Sequence, residues 1–491
     1  MTTHSAPLLK TARGKRVLVV LCAVAFLDFV DASITNVALP HIRVALGFSQ
    51  QTLQWVPSAY LLTYGGLMLF GGRLADLLGR RRVMPTGTSL VATGSLVAGL
   101  AGSSGLFVAA RLVQGSGAAL MLPAALSTLT TTFTHDVDRH KALGAWGAVA
   151  GLSSAIGILA GGLLVEGPGW RWVMFVNPIA CLLIAPAVLT TFPDDRRSGS
   201  RTGFDPVGSL LVTGGMLLFV FALIKAPIQG WGATATLLEF AGAAVLIALF
   251  LLVERVAADP ILPPQGFGVR GLVAANLTGL VGFAGMLSLF FFLTLYMQTV
   301  LGYSPFRAGA AYLPLTFGVG ISAGIGAKLL ARLGSRVVIA TGALIAAAGL
   351  LLLLHHVPVH GSYVGDILPG LMLMALGVGP VFVGVTSAAN AGVSADSAGT
   401  VAALLNSAQQ VGGALGLAVL SALATARTDH LLATGHSAAT AAAAGFDRAF
   451  LAGAALTAAA ALIALRTANT REASMAVDAP TPSELPSPDP A

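Results

Sequence analysis

Asp28, Asp31 and Arg111 are the ionisable residues that lie deepest inside long apolar runs of this chain. Asp28 and Asp31 are three residues apart, so on a helix they share a face, with Thr35 one turn on. A nearby guanidinium favours a charged carboxylate, whereas burial and a second carboxylate disfavour it. A group held between these influences can exchange a proton when its surroundings change. The alternative is a static charge network that holds two helices together. The sequence contains no H-E-x-x-H zinc motif and no G-x-x-x-x-G-K-[ST] phosphate loop, and no nucleophile–base cluster supports an enzyme. No cofactor, metal or ATP is expected. His355, His356 and His360 crowd one segment and read as a solvated loop rather than a metal site.

The elements that must carry these charges are membrane helices. Hydrophobic residues make up 56% of the 491 residues and charged residues 10%, against about 25% charged in a soluble chain. The apolar residues come in blocks of roughly 20, enough to cross a bilayer as a helix. The 59 glycines suit close helix packing in lipid. The expected class is all-α integral membrane, with spans near 17–39, 53–72, 83–101, 105–128, 142–165, 171–191, 207–226, 234–254, 271–297, 308–329, 337–355, 364–386, 399–424 and 446–466. That is fourteen spans. At 1.5 Å per residue, Asp31 lies about 12 Å from one end of its span and Arg111 about 9 Å from the same side. An ion pair follows if spans 1 and 4 touch.

Most Lys and Arg fall on the side of the N-terminus, which places both termini in the cytoplasm of a multi-pass plasma-membrane protein. The net charge of +7 is spread over short loops, unlike the clustered charge of a nucleic-acid binder. Cys22 and Cys181 lie in apolar blocks and suggest no disulfide framework. The first apolar run is too long for a cleaved leader and holds two aspartates. The Pro- and Ser-rich tail, 467–491, reads as disordered. The alanine-rich stretch 437–444 is expected in an outer loop.

GRLADLLGRRRV at 72–83 has a worn copy, AKLLARLGSRVV, at 327–338. The copies join spans 2–3 and 10–11, so two six-helix halves are separated by two extra spans. The expected division is a cytoplasmic tail 1–16, a first bundle 17–191, linkers with two added spans 192–270, a second bundle 271–466 and the tail 467–491. Two such halves with a site between them suit a rocking transporter.

Residues 72–83 resemble the loop signature of the major facilitator superfamily. DASITNVALP at 31–40 resembles the span-1 signature of its fourteen-span drug:proton antiporter branch (the EmrB/QacA type). RLVQGSGAA at 111–119, WRWVMFVNP at 170–178 and QVGGALG at 410–416 are similar to further motifs of that branch. The resemblance covers roughly residues 17–466. It implies a major facilitator fold, proton-coupling roles for Asp31 and Arg111, and export of small hydrophobic compounds by alternating access. Asp28 is a less standard candidate for the same role. Protons, a small-molecule substrate and the bilayer are the expected partners, with no nucleic acid and a functional monomer. The same scaffold also suits an exporter or importer of a specific metabolite or siderophore, and a non-transporting sensor is a third reading. The scarcity of deep acids after span 1 favours neutral or monovalent hydrophobic substrates.

Gly72, Asp76, Gly79 and Arg80 read as a cytoplasmic gate, with the glycines allowing close contact and Arg80–Arg82 setting topology or pairing with the other half. Gly147, Gly151, Gly157 and Gly161, with Ser154, form one small-residue face on span 5 for helix packing. The branch's antiporter motif has proline where Ile158 stands, so no kink is encoded there. Asn36, Gln114, Asn406 and Gln410 are candidate cavity amides.

Overall fold

A computed structural model describes residues 8–49, 51–133, 135–192, 206–257, 271–354, 361–391, 393 and 398–469. The side chain of Asp76 and the histidines at 355, 356 and 360 lie outside the described residues. Helices dominate. In chain order they are α1 (Ala12–Leu46), α2 (Trp55–Leu78), α3 (Arg80–Leu100), α4 (Ser104–Thr132), α5 (Asp136–Glu166), α6 (Arg171–Thr191), α7 (Pro206–Gln229) and α8 (Thr234–Val256). After them come α9 (Leu272–Leu295), the short α10 (Pro305–Ala310), α11 (Leu313–Leu333), α12 (Ser335–Leu354), α13 (Leu368–Asn390), α14 (Ala398–Ala433) and α15 (Ala438–Ala464).

Among the described residues, twelve helices are long and apolar enough to cross a bilayer. The expected fourteen are thus met at twelve places, and α2 and α7 are the two that fall short. The reason for α2 is its lining of Trp55, Ser58, Tyr60, Thr63 and Tyr64, polar or amphipathic groups that it turns inward. In α7, a helix of 24 residues, the described side chains form an unbroken apolar stretch over Leu210–Phe219 alone. Leu182 and Leu183 on α6 are each 74% exposed, an outward apolar surface that a bilayer would cover.

Helix ends follow local chemistry. The hydroxyls of Thr11, Ser103 and Ser437 accept from the backbone N–H groups of Gly14, Leu106 and Thr440, capping α1, α4 and α15. Gly79 (φ 88°) separates α2 from α3, and Gly334 (φ 79°) separates α11 from α12. These are the matching glycines of the two sequence copies, and each occupies a left-handed backbone that a side chain would strain. The alanine-rich stretch is no outer loop: from Ala438 it forms the first turns of α15, as the helix propensity of alanine favours. At the far end, Thr467 and Ala468 accept bonds from Arg336 Nε (2.7 Å) and Ser335 Oγ (2.5 Å), so the tail is fixed that far; 470–491 lie outside the described residues.

The packing repeats. Helix α3 lies on α4 and α6, α2 on α4, and α1 on α5 and α6. In the second half α12 lies on α13 and α15, α11 on α13, and α9 on α14 and α15. Helices α7 and α8 pair with each other, and α7 also touches α2 and α14. The halves join along α2 and α14 and where α1 and α5 end. Gln298 Nε2 donates to Val37 O (2.9 Å), and Phe306 N donates to Glu166 Oε1 (2.8 Å). Gly162 packs on the backbone of Phe306. Toward the N-terminal end of α5 the picture changes: Gly147 and Gly151 are exposed and face open space.

Candidate functional site

Close helix approaches bring the charges together. Gly115 on α4 sits against Tyr60 O and Thr63 Oγ1 of α2, so that a Cβ there would fall 2.3 and 2.2 Å from them. Gly117 does the same against Gly87 O of α3, at 2.6 Å. Gly94 makes room for the Gln114 side chain. These contacts fix α4 with Arg111 and Gln114 turned into the first half. Helix α6 is set by Arg171, whose Nη1 donates to Gly99 O (3.0 Å) and Ala101 O (2.9 Å) at the end of α3. A cation there satisfies carbonyls the helix end leaves free. With α6 placed, Asn177 reaches the same centre.

Four helices converge on Asp31. Its Oδ2 lies 2.8 Å from Arg111 Nη1. Its Oδ1 accepts from Gln114 Nε2 (3.2 Å) and from Asn177 Nδ2. Both amides also donate to Ser95 Oγ on α3, at 2.5 and 3.2 Å. Arg111 further donates to Gln114 Oε1 (3.0 Å) and through Nε to Val56 O (3.1 Å), and its guanidinium lies 4.4 Å from the Tyr60 ring centroid. Arg111 and Asp31 are buried. A buried charge pair is tolerable only when its remaining valences are met in this way. Asn177 Oδ1 is buried and without a partner.

Asp28 faces a different helix. It accepts from Tyr60 OH (2.7 Å) and Tyr64 OH (3.2 Å) on α2. Tyr60 therefore links the two aspartates, bonding one and stacking on the partner of the other. Thr35 takes no part: its hydroxyl donates to the backbone oxygen of Asp31 (2.8 Å).

The other expected site residues divide. Gln114 joins the Asp31 centre rather than an open cavity. Asn36 and Asn406 turn back to their own helices, donating to Ala32 O and Ala402 O. Gln410 lies at the seam between α14 and α2, its Cβ beside Gly65. The tight approach belongs to Gly71, just before the gate motif, where a Cβ would meet Ala119 O at 2.1 Å; Gly72 has room, with Pro123 at 3.8 Å. Gly79 serves its backbone angle. Arg80 donates to Thr131 of the same half. The small-residue face of α5 packs only in part. Gly157 and Gly161 press on Val30, Ser33 and Ile34 of α1, whereas Gly147 and Gly151 touch nothing.

Ser95, Asn177, Tyr60 and Tyr64 are site residues that the sequence did not single out. For Asn177 the signal was present, in the motif at 170–178. A further acid also escaped: Asp447 lies about 13 Å along α15 from its start at Ala438 by the rise per residue, half-buried and with Oδ1 unpartnered.

A two-fold repeat of membrane helices around buried charges defines a polytopic membrane transporter. The profile of the Major Facilitator Superfamily matches residues 21–417, and the chain belongs to that superfamily. It is 41% identical over 425 residues to a puromycin resistance protein of Streptomyces alboniger, covering 85% of this chain and 83% of the relative. It is 38% identical over 416 residues to a cephamycin export protein of Amycolatopsis lactamdurans, covering 84% and 85%. The fold is similar to that of a POT family transporter, with a TM-score of 0.69 at 15% identity over 94% of this chain and 98% of the other. The chain is a transporter and not an enzyme.

Proposed function

We propose that this protein exports small hydrophobic organic compounds, of the antibiotic class its relatives' names describe, in exchange for protons. The observation that carries the reading is the buried Asp31–Arg111 pair with Gln114 and Asn177 on the second carboxylate oxygen. Protonation of Asp31 would remove the anion from this centre and add an O–H that needs an acceptor. Asn177 Oδ1, the unpartnered atom of an amide already at the carboxylate, supplies one after rotation of that amide. Arg111 would then be drawn to other partners, and the four helices would repack. That couples a proton to a change of shape.

The proposed topology has both termini in the cytoplasm, from the positive-inside bias. Helices α2 and α7 complete fourteen spans on this reading, since α2 is enclosed by α4 and α14 and α7 is paired with α8. Residues 17–191 and 271–466 form the two bundles, with 192–270 between them. The joined end is then extracellular and the open end faces the cytoplasm, a state ready to load substrate from inside. One proton entering across 100 mV releases about 2.3 kcal/mol, whereas a tenfold gradient of a neutral solute costs about 1.4 kcal/mol. One proton per cycle therefore suffices, in a functional monomer.

The test is dye or antibiotic uptake into energised inverted membrane vesicles, wild type against Asp31→Asn at equal expression, with and without a protonophore. Uptake lost on both changes supports the reading. Uptake that survives the protonophore removes proton coupling, and uptake confined to right-side-out vesicles identifies an importer.

A further inference from the structure

Apart from the transport site, one groove concentrates positive charge without any visible use for it. It opens at the chain's N-terminal end, between the start of α1, the start of α3 and the end of α6, with a volume of about 840 Å³. Arg13, Arg16 and Arg81 line it, together with Leu189, Thr190 and Phe192. Arg16 is directed by a hydrogen bond from Nη2 to Thr190 Oγ1 (2.9 Å). The hydroxyl of Thr191, also in the lining, is buried and unpartnered. Among the described residues, no carboxylate lines the groove.

The electrostatics run against ordinary helix design. Helix N-termini carry partial positive charge and favour acids in the first turn. Neither α1 nor α3 has an acid there. Arg13 and Arg81 lie in those first turns, so three guanidinium groups gather where two helix dipoles already point positive ends. Orientation in the membrane needs basic residues on this side but does not need them to converge on one cavity. An anion would relieve the repulsion, and arginine forks suit phosphate oxygens. The apolar side of the groove continues outward: Leu189 is exposed, and Leu182 lies exposed two turns back on the same helix. That strip would hold an acyl chain.

We propose that this groove is a binding site for an anionic phospholipid, with the headgroup phosphate between Arg13, Arg16 and Arg81 and an acyl chain along Leu189 and Leu182 of α6. The site is separate from the Asp31 centre, and its occupancy does not depend on what is transported. Basic pockets between membrane helices are suited to such headgroups.

The test is native mass spectrometry of the full chain, delipidated in detergent and offered phosphatidylglycerol or phosphatidylcholine with identical chains. The variant Arg13→Gln/Arg16→Gln/Arg81→Gln is compared with Lys141→Gln/Lys328→Gln/Arg332→Gln, which removes equal charge from exposed positions elsewhere. Wild type and control should prefer phosphatidylglycerol by about tenfold or more, and the groove variant should lose that preference. Should the glutamine variant not insert, Arg13→Lys/Arg16→Lys/Arg81→Lys keeps the charge but not the fork, and its preference should fall about threefold. Equal preference in groove variant and control, or undiminished preference in the lysine variant, overturns the proposal. Added inorganic phosphate should leave the lipid bound; ready displacement would assign the groove to free phosphate and overturn the lipid assignment.

Discussion

Gly309 of α10 meets the main-chain carbonyl of Ile158 of α5 across the seam between the halves: a Cβ on the glycine would fall 2.8 Å from that oxygen and 3.1 Å from Ile158 Cγ2. Ile158 occupies the position where the resembled motif carries proline. Here α5 runs unbroken from Asp136 to Glu166, and the isoleucine serves as a flat buried contact for the opposite half. Gly162 repeats the arrangement one turn on, against Phe306.

Gly309→Val should therefore pry the joined end apart. Overpacking of this kind costs about 1–3 kcal/mol, a large bias for two states of similar energy. Spin labels at Leu163 and Phe317, both exposed near that end, should show a longer distance in the variant than in wild type. An unchanged distance with unchanged transport would remove the seam as a determinant of state.

Glycine substitutions on α4 and α5 should separate sharply. Gly115→Ala puts a methyl about 2.3 Å from Tyr60 O, so α4 must move off α2 and take Arg111 with it. Transport should fall at least about tenfold, and melting should shift by an overpacking cost of about 1–3 kcal/mol. Gly147→Ala meets nothing within 4 Å and should melt and transport as wild type. Similar losses in both would mean that the exposed end of α5 closes tightly during the cycle.

Those two glycines also mark what the sequence could tell. Asp31 and Arg111 were legible because a deep charge is rare in a membrane span and each is the natural partner of the other. The helix repeat was legible because Gly79 and Gly334 are demanded by backbone angles that recur. The packing stripe on α5 was only half legible: periodicity assigns Gly147 and Gly157 to one face, but cannot say that α1 leaves that face midway. Ser95 and Tyr60 carried no signal, since hydroxyl groups are common in spans and become site residues only by the meeting of helices. Asp447 was misplaced by a span boundary, because alanine before it read as loop.

Tyr60 offers a way to divide the site. Tyr60→Phe removes the hydroxyl bond to Asp28 (2.7 Å) but keeps the ring under Arg111. Tyr60→Leu removes both. A hydrogen bond to a charged group contributes about 1.5–3 kcal/mol, and a desolvated cation–π contact about 2 kcal/mol. If Asp28 takes part in coupling, Tyr60→Phe should lower transport nearly as far as Tyr60→Leu, and Asp28→Asn should match it. If Asp31 alone couples, Tyr60→Phe should retain most activity and Tyr60→Leu should not. Initial rates of proton-driven uptake in vesicles distinguish the two patterns.

Asn177 carries the strictest consequence of the proposed cycle. As a structural residue it only braces Asp31 and Ser95, and aspartate, serine or alanine there should act through stability alone. As a proton-linked residue it must present a donor to charged Asp31 and an acceptor to neutral Asp31, which an amide does by rotation and an apolar side chain does not. Asn177→Ala leaves the carboxylate short of one donor inside a buried centre, at a cost of about 1–3 kcal/mol. Its melting temperature should fall, yet substrate binding measured without a proton gradient should persist, because the open end is unaltered. Proton-driven accumulation should drop at least about tenfold beyond any loss of protein, by the same energy. Asn177→Gln, which retains the amide on a longer stem, should recover part of the accumulation, whereas Asn177→Leu, which neither donates nor accepts, should not. Recovery by leucine to the level of glutamine would show that Asn177 fills the site without reading its protonation.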